Sequence, residues 1–314
     1  MIQPIAKVPV ESFAKSSCSF QIQSSVATNI QESNVKPSNT NPTSYQYTGK
    51  VDNIDERDRN DPLCAAEYAP EMYTTYREQE VTTSVSPTYM TNQPQIDISM
   101  RAILIDWLIN VHTQFKLVPE TLYLAINIID RYLEKKEVPR SKLQLVGITS
   151  LFIASKYEEI YAPVVRDIVY ICDGIYRRQE IVQCETNILT TLEFKITVPT
   201  PHTFLVRYLK AAHADKTMAQ MACFILEGTL QSYELLQYLP SQLASAAVLI
   251  ARMASGRNEW SPTLLKYTEY TEEDISPIAN EVLKKKASAS SDLRAVNEKY
   301  SSRRYGGVAK IPLW

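Results

Sequence analysis

The 314-residue chain is expected to be all-α, with two helical domains in tandem. Three observations predict this. From residue 97 onward, apolar residues recur every three to four positions in one segment after another. No segment sustains the strict alternation of a strand. One helix pattern also occurs twice: Gln144-Leu145…Leu151-Phe152-Ile153 is echoed by Gln242-Leu243…Leu249-Ile250-Ala251. Both copies carry small residues (Gly147, Ala154; Ala244, Ser245, Ala246, Ala247), which let neighbours approach closely, as the central helix of a bundle requires. Five helices in about a hundred residues per half make a compact domain rather than a solenoid of short repeats.

Taken in order, residues 1–60 read as a disordered tail, dominated by Ser, Thr, Asn and Gln and broken by Pro37, Pro42 and Gly49. Residues 61–98 hold an N-terminal helix and a linker. Tyr68, Met72 and Tyr76 recur every four residues over 61–80, Pro70 disturbs the first turn, and Pro87 and Pro94 mark an irregular stretch. The first five-helix domain spans 99–198. Asp97 or Ser99 caps its first helix, and Pro119 opens the next at a position where its missing N–H costs nothing. Further helices are expected over 140–157, 164–172 and 177–192, with Gly174 between the last two. Pro199 and Pro201 mark a linker. The second domain, 199–290, has expected helices over 201–213, 215–231, 240–254, 261–267 and 271–286, and 291–314 form a C-terminal helix and tail.

The first helix of the first domain poses a question about binding. Met100, Ile103, Leu104 and Trp107 form one apolar stripe, while Ala102, Ile105, Leu108, Ile109 and Val111 cover much of the rest. Such a helix is either buried all round or presents one stripe to a partner.

Composition narrows the function classes. Net charge is −2, which argues against nucleic acid and anionic membranes as partners. The basic run Lys284-Lys285-Lys286 falls at an expected helix end, where it compensates the dipole. Five scattered cysteines without a CxxC pair imply free thiols in a reducing compartment. The first residues lack a secretory leader's pattern, and no apolar run approaches the roughly 18 residues that span a bilayer, so a soluble intracellular protein is expected. No Gly-rich phosphate loop, HExxH or GxSxG occurs, and His112, His202 and His213 lack metal-ligand spacing. Neither metal, cofactor nor enzymatic activity is expected.

The residues now reached resemble the mitotic cyclins, specifically the B-type. Met100–Leu108 is similar to the family's box-opening helix. Lys142-Leu143-Gln144-Leu145-Val146-Gly147 and Ile153-Ala154-Ser155-Lys156-Tyr157-Glu158-Glu159-Ile160-Tyr161 are similar to its third-helix signature. Glu259-Trp260-Ser261-Pro262-Thr263-Leu264, Tyr270-Thr271-Glu272-Glu273 and Lys299-Tyr300-Ser301-Ser302 resemble the second half of B-type members. The resemblance implies two tandem cyclin boxes, no catalysis, and a regulatory subunit that binds and activates a cyclin-dependent Ser/Thr protein kinase at the G2/M transition, in nucleus and cytoplasm. The competing readings are a cyclin-fold transcription factor and a transcription-type cyclin with a different kinase.

By the same resemblance, Lys156 pairs with Glu185 and both meet the kinase backbone, with Tyr157, Glu158, Glu159, Phe194, Tyr68 and Met72 completing the contact. From residue chemistry alone, Lys156 and Glu185 read equally as a solvated surface pair, and the N-terminal helix as one that packs on the first box. Met100, Ile103, Leu104 and Trp107 with Asn110, Leu143 and Gln144 correspond to a hydrophobic patch that takes Arg-x-Leu motifs of substrates and inhibitors. Asn110 stands where A-type members carry an acid, so looser docking is expected. Arg101 and Asp130 are implied to form a buried structural bridge. No arginine precedes Arg57 and no Lys-Glu-Asn box occurs, so timed destruction is expected to use another signal; Arg101-Ala102-Ile103-Leu104 fits the Arg-x-x-Leu pattern but lies inside a helix. Ser86-Pro87 and Ser261-Pro262 fit proline-directed phosphorylation.

Overall fold

In the computed structural model, residues 49–257 and 259–313 are described, and among them there are twelve α-helices and no strand. The expected tail lies outside the described residues up to position 48.

The N-terminal box comprises α2 (Ile98–Phe115), α3 (Pro119–Lys135), α4 (Leu143–Glu158), α5 (Val165–Ile171) and α6 (Arg178–Thr191). The starts follow local chemistry. The Asp97 carboxylate accepts the Met100 N–H at 2.9 Å, and Pro119 sits in the first turn of α3. α4 is the central helix, buried from Leu145 through Ser155. At Gly147 a Cβ would come within 2.7 Å of Leu104 Cδ1, so glycine sets the close approach of α2 and α4. The C-terminal box repeats the plan with α7 (Pro201–Ala211), α8 (Lys216–Thr229), α9 (Pro240–Ala254), α10 (Pro262–Thr268) and α11 (Glu272–Ala287) around the Ala-rich α9. Lys284, Lys285 and Lys286 form the last turn of α11. A short α12 (Ala295–Ser301) then returns to pack on α2 and α8.

The binding question raised by α2 has an intramolecular answer. Leu104, Trp107, Leu108 and Val111 enter the core of the first box, while Ile105 and Ile109 enter the core of the second. α3 divides likewise, with Leu124, Ile128 and Ile129 on one side and Leu122, Tyr123 and Ile126 on the other. Burial of side chains this size stabilises by about 1.5–3 kcal/mol each, so the joint between boxes is a hydrophobic core in its own right. A helix that is apolar all round is therefore the middle layer of a sandwich.

Polar contacts reinforce that joint. Arg101 donates from Nε to Asp130 Oδ1 and from Nη2 to Asp130 Oδ2, both at 2.7 Å, and from Nη1 to the Leu230 carbonyl of the second box at 3.0 Å. Tyr89 donates to Asp130 Oδ1 at 2.7 Å and meets Tyr233 edge-on. Burial opposes the charge of Arg101, and Asp130 more than restores it. Asp106 Oδ1 accepts from Gln231 Nε2 at 2.8 Å and from the Ala295 N–H at 2.9 Å, which ties α2 to α12. Burial raises the Asp106 carboxyl above its usual range. Lys299 donates to both Glu227 oxygens at 2.7 Å, with Tyr300 on the same carboxylate. His202 Nδ1 lies 3.2 Å from Glu120 Oε1, across the boxes, and its ring stacks on Tyr123. Burial opposes a charge on His202, yet Cys223 and Glu120 outweigh it and lift the pKa to about 9.

Two segments differ from the sequence reading. The N-terminal helix α1 (Ala69–Thr83) packs on the second box, not the first. The side it buries takes only Tyr76 of the Tyr68–Met72–Tyr76 stripe, beside Tyr73, and leaves Tyr68 and Met72 exposed. Tyr73 donates to the Thr203 carbonyl at 3.0 Å, Arg77 reaches Ser241 Oγ at 2.9 Å and the Thr268 carbonyl at 2.6 Å, and the buried Glu80 accepts the Ser241 N–H at 2.8 Å. Ser241 lies in the first turn of α9, where free N–H groups favour a carboxylate. An aromatic-and-charged face thus finds polar groups that an apolar count cannot register. Second, residues 49–58, grouped by composition with the tail, lie along the second box. Ile54 is buried, the Asp52 N–H donates to Thr263 Oγ1 at 3.0 Å, and Asp55 accepts from both Arg207 nitrogens and from Lys210. One buried apolar residue, backbone donations from Asp52 and Ile54, and ion pairs to Arg207 and Lys210 hold this strap, with too few apolar positions to make a periodic signal.

Candidate functional site

The expected contact residues divide between two helical surfaces. The first is a ledge at the end of α4 and along α6. Phe152 lies buried beneath Lys156, whose Nζ stands 4.3 Å from the ring centre. The ammonium pairs with Glu185 Oε1. Glu185 is 14% exposed at its side chain and Lys156 42%, so the carboxylate is mostly covered while the cation stays open. Position dictates this: α4 is apolar up to Ser155, and Lys156 is its first charged residue, with its stem on the apolar surface and its head at the rim. Tyr157 is half exposed, and its hydroxyl meets Thr197 Oγ1 beyond α6. Phe194 is 69% exposed on a left-handed turn (φ +57°).

The two glutamates that follow behave differently. Glu159 turns inward: its Oε1 accepts the Val118 N–H at 2.8 Å and the Thr121 hydroxyl at 2.6 Å, which caps α3. Glu158 is half-buried, and burial, then Glu120 and Glu159, push its carboxyl above the usual range. Of the acidic pair, Glu158 is thus the one whose carboxylate is free of a capping role. Tyr68 and Met72 project from the start of α1, exposed on a helix anchored through its other side.

Exposed apolar residues that the sequence reading left out of the site follow α4 in the chain. Ile160 is 87% and Tyr161 92% exposed just past α4, and Val164, Tyr170 and Ile175 are also open. Exposed apolar side chains in one neighbourhood mark an interaction surface. The signal available in sequence was the run Ile160-Tyr161-Ala162-Pro163-Val164, apolar yet outside any helical period.

The second surface is the face of α2. The residues of the expected docking patch are brought together there, but most of their apolar mass is already used. Leu104, Trp107 and Leu143 are buried in the first core, whereas Met100 and Gln144 are half-buried and Ile103 and Asn110 exposed. Asn110 donates to the Asp106 carbonyl at 3.3 Å. What remains open is a shallow strip of Met100, Ile103, Gln144 and Asn110. Arg101 is buried, so the Arg-x-x-Leu sequence of α2 is closed to readers in the folded chain.

Among the described residues, no cluster of three or more His, Cys, Asp or Glu has the placement to hold a metal ion, no helix is long and apolar enough to cross a membrane, and Cys64, Cys172, Cys184 and Cys223 are free thiols.

Residues 71–197 match the family model described as Cyclin, N-terminal domain, and residues 199–313 the one described as Cyclin, C-terminal domain. Cyclin-B2-1 of Oryza sativa subsp. japonica is 46% identical over 260 residues, which are 82% of this chain and 62% of the relative. G2/mitotic-specific cyclin-1 of Medicago sativa subsp. varia is 43% identical over 259 residues, 82% of this chain and 60% of the relative. The chain therefore spans about six tenths of the length of these curated relatives. Among solved structures, a viral cyclin from herpesvirus saimiri superposes with a TM-score of 0.57 at 20% identity, over 73% of this chain and 96% of that one. That likeness speaks for the fold.

Proposed function

This chain belongs to the cyclin family, in its B-type, G2/mitotic-specific branch, and from that premise we propose that it is the regulatory, non-catalytic subunit of a cyclin-dependent Ser/Thr protein kinase acting at the G2/M transition, in nucleus and cytoplasm. The observation that carries this reading is the ledge: a charge pair, Lys156 and Glu185, set over Phe152, with Tyr157, Ile160 and Tyr161 exposed at and just past the end of α4 and Phe194 exposed just past α6. A pair that is partly covered yet open at the cation adds little to the stability of its own fold. It is well placed to bind backbone groups of a partner, and apolar exposure around it supplies buried area on association.

The mechanism is a population shift. An active kinase needs its β3 lysine paired with the αC glutamate and its activation loop ordered. A rigid surface that fits only that state stabilises it by its differential affinity. Tyr68 and Met72 on α1 extend the contact. Met100, Ile103, Leu104, Trp107, Asn110, Leu143 and Gln144 serve as the docking patch for Arg-x-Leu segments of substrates and inhibitors, with Met100, Ile103, Gln144 and Asn110 as its open part.

The test is the double substitution Lys156→Ala with Glu185→Ala. The variant should keep its far-ultraviolet circular dichroism and melting temperature and lose activation of a cyclin-dependent kinase towards histone. A folded double variant that activates normally would remove the assignment.

A further inference from the structure

Four of the seventeen prolines follow a hydroxyl residue: Ser86-Pro87, Thr200-Pro201, Ser261-Pro262 and Ser276-Pro277. A proline-directed protein kinase must take its acceptor on an accessible, extended stretch. Three of the four sites are closed. Thr200 is buried at the start of α7. Ser261 caps α10, its Oγ accepting the Leu264 N–H at 3.2 Å, and the strap backbone at Gly49 lies against Pro262. Ser276 is inside α11, its hydroxyl donating to the Glu272 carbonyl at 2.7 Å. Presenting any of these would require unwinding a helix start or interior.

Ser86 is different. It lies between α1 and the 3-10 turn Tyr89–Asn92, half-buried, with Pro87 and Thr88 exposed. Its hydroxyl meets Thr88 Oγ1 at 3.0 Å and accepts the Thr88 N–H at 3.3 Å, contacts within an exposed turn rather than at a helix start, and easily exchanged. The proline that follows biases Ser86 towards extended backbone, the form an acceptor takes in a kinase cleft. We propose that Ser86 is a phosphoacceptor for a proline-directed Ser/Thr kinase and that its phosphate loosens the segment tying the two boxes together. In the step, Ser86 Oγ attacks the γ-phosphorus of Mg-ATP, the bond from that phosphorus to the ADP oxygen breaks, and the hydroxyl proton passes to the kinase's catalytic aspartate.

The consequence follows from what surrounds Ser86. Its N–H donates to Glu134 Oε1 at 2.7 Å, so a carboxylate already occupies the neighbourhood. A phosphate adds a charge of about −1.5 to −2 beside it. Arg131, the cation acting on Glu134, is half-buried and already shares its guanidinium with Asn127 at 3.5 Å. Repulsion therefore drives Glu134 from the Ser86 amide. Three residues on, Tyr89 is fixed to Asp130, and the Met90 N–H donates to Tyr233 of the second box at 2.9 Å, so displacement of Ser86 pulls on the polar joint.

The experiment incubates the full chain with Mg-ATP and a proline-directed kinase, maps the phosphate by mass spectrometry and measures melting. Synthetic peptides spanning the four sites serve as controls for intrinsic reactivity. The folded chain should take one proline-directed phosphate, at Ser86, although the other peptides are accepted too. Ser86→Ala should block it, the phosphorylated chain should melt about 2–4 °C lower, and Glu134→Gln should narrow that fall. A folded chain unmodified at Ser86 while its peptide is phosphorylated, modification at Thr200, Ser261 or Ser276 instead, or an unchanged or raised melting temperature would overturn the proposal.

Discussion

Asp130→Asn tests the polar joint most directly. Asp130 accepts three hydrogen bonds at 2.7 Å, two from Arg101 and one from Tyr89, in a site where Arg101 is 1% exposed. The amide keeps the shape but not the charge, and turns an N–H₂ group towards donors. Arg101 is left as a buried guanidinium without its anion, a defect that costs about 3–5 kcal/mol. Against a typical total of about 5–15 kcal/mol, that is about a fifth or more of the stability. At about 2–4 °C per kcal/mol for a chain this long, melting should fall by about 6–20 °C. Urea unfolding followed by circular dichroism should show a lower midpoint with unchanged slope. A companion double variant separates charge from packing. Arg101→Met with Asp130→Leu removes both charges and fills the space, leaving the Tyr89 hydroxyl and the Leu230 carbonyl unpaired at about 1–3 kcal/mol each. It should be no less stable than Asp130→Asn despite carrying two substitutions. A loss below about 1 kcal/mol for Asp130→Asn would refute the view that this bridge pins the boxes.

Other outcomes follow from single contacts. Gly147→Ala places a methyl 2.7 Å from Leu104 Cδ1 and should cost about 1–3 kcal/mol of unfolding free energy through overpacking, relieved when combined with Leu104→Val. His202, lifted to about 9, contributes stability as a cation that is complete below the ordinary histidine value of 6.5 and is lost as pH rises through about 9. His112, held by burial near 4, works in the opposite sense, contributing as a neutral ring above 6.5 and losing that contribution as pH falls through about 4. Melting temperature should therefore decline between about pH 6.5 and 9, and His202→Gln should flatten that limb; an unaltered profile would count against the His202–Glu120 contact. Asn110→Glu should tighten an Arg-x-Leu peptide in a manner that added salt reverses, read by fluorescence anisotropy, because position 110 is exposed beside the open strip.

How much of this was legible depended on whether an element carries a period. Helices with long apolar stripes are found where expected, α3 starting at Pro119 and α9 running from Pro240 to Ala254, because these prolines start them and their repeats are regular. α2 was legible as a helix, but its surroundings were not. Periodicity says how many faces are apolar, not whether the second face meets another domain or a partner. The alternative that α1 packs on the first box failed because its anchors are Tyr73, Arg77 and Glu80, which bind through hydrogen bonds to Thr203, Ser241 and Thr268 far along the chain. The strap at 49–58 was hidden for the same reason: Asp55 and Ile54 act singly. At the ledge, the pairing of Lys156 with Glu185 was expected from resemblance alone, since 29 positions separate the two. The inward turn of Glu159 had no signal, because a carboxylate that caps a distant helix looks like any surface acid until the helix start is in place.

These placements constrain how the proposed activation works. The ledge belongs to the N-terminal box, whereas α1, which carries Tyr68 and Met72, is anchored on the C-terminal box. A partner that touches both is held by two bodies, and its affinity for the pair depends on how firmly they are joined. A loose joint would let each half bind separately and give up the advantage of a fixed spacing, since binding that must first order the two halves loses the ordering free energy. The joint is not loose: it has an apolar layer formed by α2 and α3 and at least three polar ties, through Arg101, Asp106 and His202. Fixed spacing is what allows differential affinity, because a flexible clamp would follow the kinase into either of its states and shift neither. On this reasoning a joint variant such as Asp130→Asn, assayed well below its melting temperature, should bind the kinase with modestly reduced affinity and lose disproportionately more activation. Equal losses in binding and activation would mean that the ledge acts alone and that the second box contributes only stability.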